Sequence, residues 1–210
     1  MRLNVGAGRV ALPRSEGWVN ADIMPYASTD EAEYQQVDVF AVPWPWATSS
    51  VKQIMASHII EHIPHETRLA ESGYIINAPV CDHVWLRRVM KMDGFFAFFA
   101  EAWRVLEPGG TIECIAPYGM SRGALQDPTH QRFIVETTIN YLVEKPTAET
   151  TFDYGLPFTY ELTGGGYRLA FRGECGALNV AGMQAEVTRR LSELWNQAVE
   201  IGFTLRAVKE

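Results

Sequence analysis

Several short stretches of this sequence hold residue types that can bind or react. The first is Gly6-Ala7-Gly8, which follows the apolar segment Leu3-Asn4-Val5 directly. Glycines there admit positive φ and let a ligand reach the backbone with no Cβ in the way. With Ala11 the turn meets the spacing of a dinucleotide fingerprint, which needs a helix N-terminus to hold a pyrophosphate. Only residues 9–17 separate Gly8 from the next apolar segment. A crossover between parallel strands normally takes at least ~10–12 residues, so a full helix hardly fits. A tight structural turn is the competing explanation of the glycines.

Asp22 and Asp38 each close a short apolar segment, Trp18–Ala21 and Gln36-Val37. A carboxylate at the C-terminal end of a strand stands at the edge where open α/β sheets bind ligands. It can accept hydrogen bonds from two vicinal hydroxyls or from an exocyclic amine. Further on, His58-Ile59-Ile60-Glu61-His62 reads as H-x-x-E-H, a zinc-hydrolase pattern that requires one helical face. A strand-like segment precedes it and Pro64 follows, so the expectation is no metal there. Glu61 and His62 then read as a hydrogen-bonded loop brace. Asp127-Pro128-Thr129-His130 combines good helix-capping types with a histidine able to act as a general base.

The elements that must position these residues alternate between short strands and turns. Strands are expected at 2–5, 18–21, around 36–37, at 51–57 and at 111–116. Helix is expected from Asp82 to Leu106, divided near Gly94, with Phe95, Phe98, Phe99, Ala102 and Leu106 as a core-facing stripe. Pro108-Gly109-Gly110 stops it. Beyond it come a helix from His130 to Lys145 and a hairpin of 158–162 with 167–171 about Thr163–Gly166. A helix from Gly182 to Ala198 and a last strand at 201–207 complete the pattern. The order favours a parallel α/β sheet.

With these motifs in place, the chain resembles the class I S-adenosylmethionine-dependent methyltransferases. The likeness lies in LNVGAG (3–8), GWVNADIMP (17–25), VDVFAVPWPW (37–46), ASHIIEHIP (56–64) and EAWRVLEPGGTIECIAPYG (101–119), extended by DPTHQRF (127–133). It implies a Rossmann-like three-layer sandwich with a mostly parallel seven-stranded sheet and an antiparallel last strand. It implies S-adenosyl-L-methionine as cofactor, held by Asn4, Val5, Gly6, Ala7, Gly8, Asp22, Ile23, Asp38, Val39, Ser57 and His58. Asp22 would take the ribose, Asp38 with Val39 the adenine, and Ser57 with His58 the methionine end. His58 or His130 would be the base, and Trp44 or Tyr118 could offer an aromatic face to the sulfonium. The first crossover is shorter than is usual in the family, so part of the pocket must be supplied in another way.

The implied activity is methyl transfer to an oxygen or nitrogen of a small-molecule acceptor. A nicotinamide-dependent oxidoreductase and a non-catalytic cofactor-binding module are the alternatives. The 210 residues carry 18 basic and 25 acidic side chains, a net charge of −7, which argues against gripping a long nucleic-acid backbone. The three cysteines, Cys81, Cys114 and Cys175, are widely spaced and suggest neither a disulfide framework nor a thiolate zinc site. No apolar run approaches the ~20 residues of a membrane span, and the N-terminus has no signal-peptide pattern. The expectation is a single cytoplasmic domain over 1–210, with a cap-like or irregular region around 120–175.

Overall fold

The computed structural model of the chain describes residues 1–70, 83–143, 154–171, 177–179 and 197–209. In chain order the strands are β1 (Arg2–Val5), β2 (Trp18–Asp22), β3 (Glu33–Gln36), β4 (Ala41–Val42), β5 (Val51–Ser57) and β6 (Arg68–Leu69). They continue with β7 (Leu106–Pro117), β8 (Thr159–Phe171), β9 (Ala177–Asn179) and β10 (Ala198–Val208). Among the described residues the main sheet has eight strands in the order β3-β2-β1-β5-β7-β10-β8-β9. The first five run parallel, and β10 lies antiparallel between β7 and β8. The expected α/β sheet with its antiparallel last strand is present, with one strand more than expected: β9 extends the edge beyond β8. A separate parallel pair, β4 with β6, stands beside it. No helix among the described residues is long and apolar enough to cross a membrane.

Helices α1 (His83–Val89) and α2 (Gly94–Val105) divide the expected stretch at Gly94, and Asp93 caps the second by accepting from Phe95 N. Phe95, Phe98, Phe99 and Ala102 are buried as one stripe, packed with the strand residues Leu3, Val5, Ile54 and Ile112 in a contiguous core. Short helices α3 (Arg122–Gln126) and α4 (Glu136–Asn140) follow β7.

Two expectations are corrected. The glycine-rich segment 163–166 does not reverse the chain. β8 runs through it as one long strand along β10, whose partners shift from Gly202↔Arg168 to Thr204↔Thr163. Four residues are thus looped out as a bulge, with Gly164 and Gly166 at positive φ. The second correction is that His130 starts no helix. The N–H groups of Gln131 and Arg132 both donate to the carbonyl of Glu61, at 2.8 and 3.0 Å. They serve the neighbouring loop, and helix forms only from Glu136. The helix expected at Gly182–Ala198 falls almost wholly outside the described residues; Ala198 itself opens β10.

The short crossover contains only a 3-10 turn, Arg14–Glu16. Two buried asparagines replace the missing helix. Asn4 Nδ2 donates to Val10 O and to Asn20 Oδ1. Asn20 in turn accepts from Leu12 N and donates to Leu12 O and Glu33 O. Backbone groups that a helix would have paired internally are satisfied by these side chains.

Candidate functional site

The C-terminal ends of β1, β2, β3 and β5 form one edge of the sheet. At its centre the chain turns through Gly6 (φ +65°) and Gly8 (φ +53°), where an L side chain is strained. The two glycines differ in surroundings. A Cβ on Gly6 would stand 2.6 Å from Ile59 Cδ1, whereas one on Gly8 would meet nothing within 4 Å. Gly6 is therefore demanded by packing and Gly8 offers open backbone. Asp22 is folded onto this turn: its Oδ2 accepts from Gly8 N at 2.8 Å and its Oδ1 from Met24 N at 2.9 Å. Tyr34 Oη donates to Gly8 O at 3.2 Å and fixes the other side of the turn. Each carboxylate oxygen keeps a second lone pair for a ligand hydroxyl.

Next to this turn opens a cleft of about 500 Å³ lined by Ile23, Gln36, Val37, Asp38, Pro43 and Arg68, among others. Asp38 is held in a turn by Phe40 N and Ala41 N, and its Oδ2 lies 3.2 Å from Arg68 Nη2. Val39 is buried, with its carbonyl taken by Trp44 Nε1. Asn4 and Val5 are buried below the turn, so their side chains support it from inside. Trp44 is fully buried against Trp46 and Phe98. It cannot offer a face to a sulfonium, which corrects that expectation. Tyr118 is buried too, and its hydroxyl donates to Glu136. Burial pushes that phenol well above its ordinary range.

The loop after β5 carries the histidines. Ser57 ends the strand, and His58 follows in left-handed backbone at φ +53°, a conformation that bulky residues adopt at a cost. Its N–H donates to Ile115 O. The imidazole lies between two carboxylates, with Nδ1 3.4 Å from Glu61 Oε1 and Nε2 3.2 Å from Glu200 Oε1. Hydrogen bonding to Glu61 is the main reason its pKa is raised, against a smaller opposing effect of burial. Ile60–His62 then form one 3-10 turn rather than an α-helix, so His58 and His62 do not share the face that H-x-x-E-H needs. His130 sits on this same edge. Its ring meets His62 edge-on at 4.7 Å, and both line a cavity of about 440 Å³ with His58, Glu61, Asp127 and Glu200.

Arg132 fixes this arrangement. Its guanidinium donates to Ile63 O and Pro64 O at 2.8 and 2.6 Å and pairs with Asp93 at 2.9 Å. Gly94 packs so closely on Pro64 O that a Cβ would stand 2.1 Å away. The loop is thus pinned to the start of α2. Gly119 N donates to Ile134 O, and a Cβ there would come within 3.1 Å of Phe133. Glu200, Arg68, Tyr34 and Arg132 are missed by sequence reasoning, since each reaches the site from a distant element. Only Arg132 had a signal, its place within DPTHQRF.

No family model and no curated protein matches this chain. Among solved structures, the complex between the Haloferax volcanii Trm112 methyltransferase activator and a protein assigned as a methyltransferase aligns over 99% of this chain and 82% of that one. Its TM-score is 0.52 at 10% identity. A SAM-dependent methyltransferase from Archaeoglobus fulgidus aligns over 98% and 85%, with TM-score 0.48 and 14% identity. One from Mesorhizobium loti aligns over 98% and 89%, with TM-score 0.48 and 12% identity. At such identities the likeness is one of fold.

Proposed function

We propose that this protein is an S-adenosyl-L-methionine-dependent methyltransferase acting on an oxygen or nitrogen of a small-molecule acceptor. The observation that carries the reading is the edge itself. Gly8 with its open backbone, Asp22 on the same turn and Asp38 in the adjoining cleft stand at consecutive strand ends. These residues fit an adenosine-bearing cofactor: open backbone for close approach, a carboxylate for vicinal hydroxyls, and a half-apolar cleft for a base. Gly6, Ala7, Gly8, Asp22 and Ile23 would hold the ribose side, and Asp38 with Val39 the adenine side. Ser57 and His58 would stand nearest the methionine end.

When bound, the cofactor supplies an electrophilic methyl group on a sulfonium. The protein's task is then to hold the acceptor atom in line with it, which can provide a large part of the acceleration. His58 and His130 both border the cavity beside the expected methionine end, and a neutral imidazole at either position would take a proton from an acceptor hydroxyl. The crossover after Gly8 offers no regular helix to hold a pyrophosphate, which disfavours the nicotinamide alternative.

Calorimetric titration with S-adenosylhomocysteine, with NADH in parallel, tests this directly. Binding of the first and not the second is expected. A folded protein that binds NADH alone, or neither, overturns the reading.

A further inference from the structure

We propose that Glu61, His62 and His130 form a binding site for one divalent first-row transition-metal ion. The proposal needs only these three side chains and does not depend on the methyl-transfer reading. One donor atom from each lies within 4.8 Å of the other two. Modest side-chain rotation brings such donors onto an ion with bonds of about 2.0–2.2 Å.

The hydrogen-bond partners of the two histidines orient them as ligands. Thr129 Oγ1 has one proton and gives it to Asp127 Oδ1 at 2.7 Å. The 3.0 Å contact between Thr129 Oγ1 and His62 Nδ1 is then donated by the ring, which in a neutral imidazole leaves the lone pair on Nε2. His130 Nδ1 lies 3.0 Å from the carbonyl of Ala124. A carbonyl can only accept, so this Nδ1 is the donor, and in the neutral imidazole it is Nε2, 3.9 Å from Asp127 Oδ2, that holds the lone pair. Metal-binding histidines are oriented in this way, with the second ring nitrogen donating to an oxygen.

The carboxylate supplies the second, independent observation. Glu61 is 2% exposed, and among the described residues its Oε2 accepts no hydrogen bond. A buried carboxylate oxygen without a donor is costly unless something positive meets it. Its backbone is already committed, since the carbonyl takes Gln131 N and Arg132 N, so the position of Glu61 is set independently of its side chain. Two imidazoles and one carboxylate suit zinc, cobalt, iron or manganese better than magnesium or calcium. Three protein ligands leave a coordination position open. It would face the 440 Å³ cavity, where water or an oxygen of a bound molecule completes the shell. This set differs from the H-x-x-E-H pattern, because His58 is replaced by His130 from a loop 72 positions away.

The test uses full-length protein stripped with chelator, then dialysed separately against Zn²⁺, Co²⁺ and Mn²⁺. One ion per chain is expected for at least one of them, with a raised melting temperature. Co²⁺ should give visible d–d absorption if histidines ligate it. His130→Ala and His62→Ala should each weaken binding by more than tenfold, as should Thr129→Val, which removes the acceptor behind His62. His65→Ala, an exposed histidine outside the set, should bind as wild type. Should His62→Ala fail to fold, His130→Ala and Thr129→Val carry the test. Substoichiometric binding of all three ions overturns the proposal, and so does binding that survives His130→Ala in a folded protein.

Discussion

Glu101 and Arg104 face each other three residues apart on α2 and clamp the Pro-Trp-Pro-Trp segment to the helix. Arg104 Nε and Nη2 donate to the two oxygens of Glu101 at 2.9 and 2.8 Å. The same carboxylate accepts from Trp44 N at 2.7 Å and Trp85 Nε1 at 3.0 Å. The same guanidinium donates to Trp44 O and Trp46 O. Glu101 is 0% and Arg104 3% exposed.

A buried pair loses about 3–5 kcal/mol when one partner is removed, because the survivor's charge is left uncompensated. Glu101→Leu and Arg104→Met should each lower the urea midpoint accordingly. The double variant Glu101→Leu with Arg104→Met should be less destabilised than the sum of the single changes. Additive losses would show that the two charges act independently.

The asparagine clamp makes a local prediction. Asn20→Ala leaves Leu12 N, Leu12 O and Glu33 O without their side-chain partner. Each orphaned group costs about 1–3 kcal/mol where it stays buried. Hydrogen exchange should quicken first at Val10–Leu12, ahead of β5 and β7. Uniform quickening across the sheet would mean that the crossover is not separately held.

These two clamps show what the sequence could and could not reveal. The strands at 2–5 and 51–57 and the apolar stripe of α2 were legible because periodicity and glycine punctuation are local signals. The motif around Glu101 and Arg104 was visible as a string, but its cause, an ion pair locking a loop about 57 residues earlier, is not local. A glycine run serves a bulge as well as a turn, so the pattern at 158–171 suggests a hairpin where one strand runs through. Asp127 and Thr129 resemble a cap and so suggest a helix at His130, while the carbonyl that competes for Gln131 and Arg132 lies on the loop after β5. In the site, Gly8, Asp22 and Asp38 could be picked out by their position at strand ends. The convergence of Glu61, His62 and His130 could not, since nothing in the spacing joins them.

The two glycines of the first turn should separate experimentally. Gly6→Ala puts a Cβ 2.6 Å from Ile59 in addition to the positive φ, for which about 1–2 kcal/mol from backbone and 1–3 kcal/mol from overpacking are expected. Gly8→Ala bears the backbone cost alone, since no atom lies within 4 Å. Thermal denaturation should therefore rank Gly6→Ala as clearly less stable. Calorimetry should find that Gly8→Ala, although better folded, binds S-adenosylhomocysteine more weakly, because its methyl occupies the ligand's side of the turn. Equal stability of the two variants would contradict the packing seen around Ile59.

Asp22 permits the sharpest test of the cofactor reading, provided two effects are kept apart. Its oxygens hold Gly8 N and Met24 N, so Asp22→Ala disturbs the turn as well as removing an acceptor for ribose hydroxyls. A hydrogen bond to a charged group contributes about 1.5–3 kcal/mol, so the variant should bind S-adenosylhomocysteine roughly 10- to 150-fold more weakly. Turn disruption alone could produce the same loss. A ligand lacking both ribose hydroxyls resolves this, because only the direct contact is coupled to them. Wild type should prefer the hydroxylated ligand by about the factor lost in Asp22→Ala, and the variant should scarcely distinguish the two. If the variant discriminates as strongly as wild type, Asp22 braces the glycine turn and the ribose is recognised elsewhere.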